Sequence, residues 1–289
     1  MILRSAATPS KHFSIRWPQL VIGRIGDAFL IPGRWVVFIA QTLLTLPITV
    51  RRYRRETFQQ MNSLAWGRGS IVVDGGVISV LLILGVAVGA SLAVEAFAVL
   101  NIIGFGALSG IVAGVGAVRV IAPLIGGIAF ACQIGCRMTA EIGSMRISDE
   151  IDAVESMGLR PIPYVVGTRL IGGLMCVIPG YLVTVVLTFF VMDTVIRGFH
   201  GVPGGTYSHY FVEFLTPHDL AYSVIKVCVY CVAVTVIHCY YGYFASGGPV
   251  GVGLASGRAI RASLVAIMVL DFATTVMLWG IRPEFVFTG

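Results

Sequence analysis

Apolar and polar positions alternate along this chain in long blocks, with hydrophobic runs separated by short charged stretches. Trp35–Val50 holds sixteen residues without a charge, and Ile71–Val94 carries Asp74 near its start and Glu95 just past its end. Phe97–Met138 is about forty residues long, with Arg119 near its centre and Arg137 at its end. Tyr164–Met192, Leu220–Phe244 and a last run at about 262–281 follow. A bilayer-crossing helix needs about twenty predominantly apolar residues. The pattern therefore predicts an all-α, polytopic membrane protein.

Five spans are expected, because the first and third runs need arbitration. Trp35–Val50 is short, is interrupted by Pro47, and has arginines on both sides: Arg16, Arg24 and Arg34 ahead, Arg51, Arg52, Arg54 and Arg55 behind. Equal charge at both ends suits an interfacial or re-entrant helix better than a span. Phe97–Met138 is long enough for two crossings. Read as one span at about 116–138, preceded by a Gly-rich outer segment, it leaves sixteen of the twenty basic residues on one side. Only Arg119, Arg197, Lys226 and Arg282 then fall on the other, a strong positive-inside bias. Two spans would invert everything downstream, so one span is expected, with the N-terminus inside and the C-terminus outside.

Composition supports the membrane reading. Of 289 residues, 57% are hydrophobic and 12% charged, far from soluble usage. The formal charge of +6 comes from eighteen Arg and two Lys set beside spans, which argues against nucleic-acid binding. No apolar core with a cleavage site opens the sequence, so a cleavable leader is not expected. Cys132, Cys136, Cys176, Cys228, Cys231 and Cys239 all lie in or beside apolar runs, where cysteine acts as a small hydrophobe. A disulfide framework is not expected, and Cys228-x-x-Cys231 lacks a second ligand pair at zinc-like spacing. His200, His209 and His218 recur every nine residues in the outer loop, a spacing that gathers no metal site.

One stretch breaks the apolar rule. Between Glu141 and Glu155 lie five of the fourteen acids: Glu141, Asp149, Glu150, Asp152 and Glu155. Ser148 reads as an N-cap, with acids in the first turn where the helix dipole favours them. Ile147, Ile151, Val154 and Met157 form the apolar side, Gly158 the C-cap, and Pro161 and Pro163 the stop. A short amphipathic helix on the membrane surface is expected, with Arg146 paired to Glu150 four residues on.

No phosphate-binding loop is present, because neither Lys11 nor Lys226 follows a glycine in the required pattern. ATP chemistry by that route is excluded for this chain. Arg119 and Asp271 are ionisable residues inside apolar runs, which makes them functional candidates. For Asp271, packing against hydroxyls such as Thr274 or Thr275 and contact with substrate are both open.

Residues 140–161, AEIGSMRISDEIDAVESMGLRP, resemble the signature loop of the MlaE/YrbE permeases, membrane subunits of ABC-type lipid transporters that work with MCE proteins. Gly242-Tyr243 and Gly251-Val252-Gly253-Leu254-Ala255 resemble further family elements, and the likeness covers roughly residues 20–280. It implies one permease domain over 1–289, with an interfacial N-terminal segment (1–60), a transmembrane core (71–281) and a coupling loop (140–161). On this reading Glu141, Arg146, Asp149, Glu150, Asp152 and Glu155 engage a separate cytoplasmic ATPase, which carries the ATP and magnesium. No cofactor is expected in this chain. The substrate would be a fatty acid, sterol or other lipid, MCE proteins would sit on the outer face, and the location would be the cytoplasmic membrane.

Two departures from the family stand out. Val120 stands where many members have Glu after Arg119, and Cys132-Gln133 stands for Gly-Arg. Lost charge at Val120 and Gln133, beside Arg119 and Asp271 on the expected substrate path, implies one half of a heterodimer with a paralogous permease. The pattern resembles the actinobacterial B-type YrbE subunits. A lipid-modifying membrane enzyme is the first competing class, and the spans lack clustered acid–base residues for it. A secondary transporter is the second, and it would show an internal repeat that this sequence lacks.

Overall fold

The computed structural model describes residues 17–67 and 76–280, with side chains from residue 33 onward. Expectations that fall on residues 1–16, 68–75 and 281–289, Asp74 and Arg282 among them, lie outside the described residues. The described chain is helical throughout and contains no strand. In order it forms α1 (Trp17–Arg52), α2 (Arg54–Trp66), α3 (Val77–Ile102), α4 (Gly106–Ile147) and α5 (Glu150–Ser156). Then come α6 (Ile162–Gly198), α7 (Gly204–Phe214), α8 (Pro217–Tyr243) and α9 (Gly248–Trp279).

Two compact units divide between Gln41 and Thr42. The first contains the N-terminal part of α1, and the second contains the rest of the chain. Six helices are long and apolar enough to cross a membrane: Gly33–Arg52 within α1, then α3, α4, α6, α8 and α9. This is a multi-pass α-helical membrane protein. Pro47, read from sequence as an interruption, lies inside α1, and helix continues from Gly33 to Arg52 for twenty residues. Threonines on either side of Pro47 bond carbonyls that precede it, Thr45 Oγ1 to Thr42 O and Thr49 Oγ1 to Thr45 O.

The stretch after Glu95 resolves as expected in number but not in boundaries. α3 runs eight residues past Val94 to Ile102, because Phe97, Val99 and Leu100 continue the apolar helix. The chain then turns at Gly104 (φ +78°) and re-enters as a single helix, α4, 42 residues long. α4 is not regular: Val112–Ile121 and Ala131–Gly135 are π-helical. Pro161, expected to forbid helix, instead opens α6, whose first turns are also π-helical (Ile162–Gly167). Proline suits the first helical position, where its missing N–H has no partner to lose.

The core is made where these helices touch. Gly85 and Gly89 of α3 face Thr184 and Thr188 of α6, and the Thr188 hydroxyl donates to the Gly85 carbonyl at 3.2 Å. A β-carbon at Gly85 would stand 2.9 Å from Thr184 Cγ2, and one at Gly89 2.9 Å from the Thr188 carbonyl. The glycine pair therefore serves close helix approach, the usual use of small residues four apart in membranes. Tyr181 of α6 and Tyr230 of α8 pack over Gly126 and Gly127 of α4, and further along the same helix Phe130 packs over Gly173 and Ile142 over Gly242, all four side chains buried. α9 buries only one ridge, Val252, Ala255, Ala259, Ser263 and Ile267, and leaves Val265, Met268, Val269, Phe272 and Met277 exposed.

Candidate coupling surface and intramembrane charge network

α4 delivers the acidic loop to one face of the bundle. Ser148 terminates this helix: its N–H bonds the Ser144 carbonyl at 3.1 Å and its hydroxyl the same carbonyl at 2.9 Å. It does not cap α5, as the sequence suggested, because α4 reaches Ile147 without a break and occupies it. The reversal is made by Asp149, at φ +57° the only non-glycine with positive φ among the described residues. Aspartate tolerates this left-handed conformation better than most residues. Glu150 and Asp152 then occupy the first turn of α5, next to the partial positive charge of the helix end.

The other end follows expectation. Gly158 (φ +78°) donates to the Glu155 carbonyl at 2.9 Å, and Leu159 to the Val154 carbonyl at 3.3 Å. That paired pattern is the Schellman cap, and glycine supplies its left-handed residue without strain. Of the four apolar positions only Ile151 and Val154 are buried, while Ile147 and Met157 are 39% and 68% exposed. Two residues, not four, seat the helix.

The acids separate into two groups. Asp149, Glu150, Asp152 and Glu155 are exposed and form the acidic surface of the loop. Arg146 pairs with Asp152 at 2.7 Å and not with Glu150, because the helix stops at Ile147 and the four-residue spacing no longer brings side chains together. Glu150 accepts instead from the Ser148 hydroxyl at 3.1 Å. Glu141 lies deeper. It pairs with Arg137 at 2.9 Å and, at 3.4 Å, with the buried Arg169, and Arg137 bonds the Ser63 carbonyl and hydroxyl. The trio ties α2, α4 and α6 together beneath the loop. A polar cleft of about 420 Å³, bordered by Gln59, Ser63, Glu141, Glu150 and Arg169, opens beside it.

Toward the opposite face, charges gather between α4, α8 and α9. Arg119 makes a two-pronged pair with Asp219 at 3.0 and 3.2 Å, and the Thr216 hydroxyl donates to the same carboxylate at 2.8 Å. Trp279 donates its indole N–H to Asp219, and its ring stands 5.6 Å from the Arg119 guanidinium carbon. Deeper in α8, Lys226 Nζ pairs with Asp271 at 2.8 Å, donates to Thr275 Oγ1 at 2.9 Å and to the Arg119 carbonyl at 2.8 Å. The Tyr230 hydroxyl donates to Asp271 at 2.7 Å. Three helices are thus joined by a charge-balanced chain of two ion pairs.

This arrangement changes the sequence reading of Asp271. Its carboxylate is held by Lys226 and Tyr230, whereas Thr274 and Thr275 bond its backbone carbonyl. Lys226, placed by sequence on the outer side, is fully buried inside the α8 span. Lys226, Asp219, Tyr230 and Trp279 belong to the network and were not among the predicted site residues. Lys226 had a signal, as one of two lysines in the chain and the one set in an apolar run. Val120 is 42% exposed and Gln133 half-buried, in the first and second π-helical stretches of α4 respectively. An apolar groove of about 460 Å³ between α3 and α4 is bordered by Val88, Leu92, Glu95, Ile121 and Ile125.

His200 lies on Phe97 with ring centroids 4.1 Å apart and His209 against Tyr210. Among the described residues no three His, Cys, Asp or Glu gather as a metal site.

Comparison with known proteins decides the family, since residues 69–277 match the family described as permease MlaE. The chain belongs to the MlaE permease family. It is 28% identical over 175 residues to a probable ABC transporter permease protein of Rickettsia conorii, covering 56% of this chain and 63% of that one. It thus spans less than two thirds of that relative's length. A probable ABC transporter permease protein of Synechocystis is 26% identical over 91% of this chain and 92% of its own. The intermembrane phospholipid transport system permease protein MlaE of Haemophilus influenzae is 24% identical over 71% of this chain and 80% of its own. The MlaE match includes the acidic loop and all members of the network except Trp279.

Proposed function

We propose that this chain is the permease subunit of an ABC-type transporter that moves a lipid, driven by a separate cytoplasmic ATPase that carries the ATP and magnesium. The observation that carries the reading is the exposed acidic helix α5, joined to span α4 by the short reversal at Ser148 and Asp149 and bounded by its own cap at Gly158. A short helix held this way suits transmission of movement from a docked partner to the membrane helices. MlaE family membership supports the same reading, and the name of the Haemophilus relative, an intermembrane phospholipid transport system permease, favours a phospholipid as substrate class.

The finer expectations remain part of this proposal. The loop face is the cytoplasmic side, with the N-terminus on it and the N-terminal helix lying in the inner leaflet of the cytoplasmic membrane; arginines at both of its ends favour that placement. MCE proteins dock on the opposite face. A paralogous YrbE-type permease completes the pair, because Val120 and Gln133 lack the charges that many family members carry there. The lipid path follows the apolar side of α3 and α4.

The test is coexpression with and without a paralogous permease and an ABC-type ATPase from the same organism, followed by purification and lipid-stimulated ATP hydrolysis in proteoliposomes. Stoichiometric copurification of an ATPase, with activity dependent on both permeases, supports the proposal. A permease that purifies without any ATPase and transports by an ion gradient would overturn it.

A further inference from the structure

At the junction of α1 and α2 four arginines stand within five residues, Arg51, Arg52, Arg54 and Arg55, around a single buried residue, Tyr53. The Tyr53 ring packs edge-on against Tyr164 at 5.5 Å, and its carbonyl accepts from the Thr57 hydroxyl at 2.8 Å. Tyr53 is therefore a peg that fixes the junction, and the four guanidinium groups are all exposed around it. None of them is ion-paired with a carboxylate among the described residues; Arg54 bonds only the Val50 carbonyl, through Nε at 3.1 Å.

A groove of about 300 Å³ opens directly beside Arg54. Its walls are Val50, Phe58, Ile171 and Met175, with Thr57 buried at the base. The junction lies on the acidic-loop side of the bundle, since Ser63 of α2 is bonded by Arg137 next to Glu141, and Ile171 and Met175 sit in the early turns of α6. At that depth an apolar slot and a cationic rim are adjacent.

We propose that this junction is a binding site for an anionic phospholipid of the leaflet on the loop face, with its phosphate held by Arg54 and the neighbouring arginines and an acyl chain lying in the groove. Charge complementarity selects the occupant. Basic clusters at a membrane surface attract anionic lipid, each arginine strengthening binding by about fivefold. Guanidinium forks suit phosphate oxygens. The apolar walls give a free phosphate ion nothing to bind, but they accept a hydrocarbon chain. The lipid here is a resident of the protein, separate from transported cargo, so the site depends on the chain spanning a membrane and not on the transport reading.

The measurement is electron spin resonance of chain-labelled phosphatidylglycerol and phosphatidylcholine in bilayers containing the purified protein. The immobilised fraction should favour phosphatidylglycerol several-fold, and Arg54→Gln with Arg55→Gln should bring that preference close to the phosphatidylcholine value. Lysine at both positions should retain most of it. Met175→Trp, which fills the groove, should lower the immobilised fraction with the arginines intact. Arg258→Gln with Arg261→Gln, on the same face but away from the groove, should leave the preference unchanged. Equal immobilisation of both lipids by the wild-type protein would overturn the site, as would equal loss from the Arg258/Arg261 pair. Displacement of labelled lipid by millimolar inorganic phosphate would assign the arginines to a free anion instead. If the glutamine variant does not fold, raised salt on the wild-type protein replaces it: screening must reduce the phosphatidylglycerol preference, and an unchanged preference counts against the site.

Discussion

Lys226 Nζ stands 2.8 Å from Asp271 Oδ1, joining α8 to α9 inside the bundle with the lysine wholly buried. A pair in such surroundings is held together less by net gain than by the cost of separating it. Removing one partner of a buried ion pair typically costs about 3–5 kcal/mol, whereas replacing both with apolar residues is often neutral. Lys226→Met and Asp271→Leu should each lower thermal stability in detergent strongly, and the double replacement should recover much of the loss. Stabilities that simply add, giving a double variant worse than either single one, would show that the pair is not coupled.

The acidic surface of α5 is tested with Asp152→Arg and Glu155→Arg together. Asp149 is left alone, since its left-handed backbone would confound the result. Removing one side of a desolvated charge contact can cost about 2–5 kcal/mol, far more than a rim pair. The double reversal should release the ATPase in pull-down, or leave it bound and uncouple hydrolysis from lipid uptake, with the spans still inserted. Normal pull-down and normal uptake would remove the coupling role of this helix. Arg146→Ala should have little effect, because its pair with Asp152 is exposed.

Asp149 itself offers a local test of backbone strain. Left-handed conformation costs a non-glycine residue roughly 1–2 kcal/mol, which glycine avoids. Asp149→Gly should therefore leave stability unchanged or raise it slightly, whereas Asp149→Val should lower it by more than 1 kcal/mol on the same scale. Thermal unfolding of the two variants, compared directly, checks the order; valine equal to glycine would contradict the turn geometry.

Close packing of α3 on α6 predicts a sharp size limit. Gly89→Ala places a methyl 2.9 Å from the Thr188 carbonyl, a backbone atom that cannot move aside alone. A loss of about 1–3 kcal/mol is expected, as for other overpacked cores. Ser91→Ala, on the same helix, should be nearly silent. The check is unfolding in mild detergent with both variants side by side.

Hydropathy made the spans legible because a bilayer demands long apolar helices and little else, so α3, α4, α6, α8 and α9 could be read from run lengths. The cap at Gly158 was legible for a similarly local reason. What could not be read was anything set by the meeting of distant segments. For Asp271 the sequence left packing against Thr274 or Thr275 and contact with substrate both open, whereas its carboxylate is held by Lys226 and Tyr230 from another helix, more than forty residues earlier. Ser148 had every mark of an N-cap, and only the uninterrupted length of α4 converts it into a terminus. Pro161 looked like a stop because sequence shows that proline ends a helix, not that another begins there.

The π-helical stretches of α4 give its length a meaning that an ordinary rod would lack. A π turn is an extra residue absorbed into the spiral, so residues before and after it are phased by that insertion. Removing one residue between Val112 and Ile121 would return that stretch toward ordinary winding and leave the faces on either side near their present phase. Removing one from an α-helical part of the same span, such as Ala122–Phe130, would instead turn one side by about 100° relative to the other and part Arg119 from Asp219 or Gly126 and Gly127 from Tyr181 and Tyr230. The span should therefore forgive the loss of a residue inside its π-helical stretch more readily than the loss of one outside it.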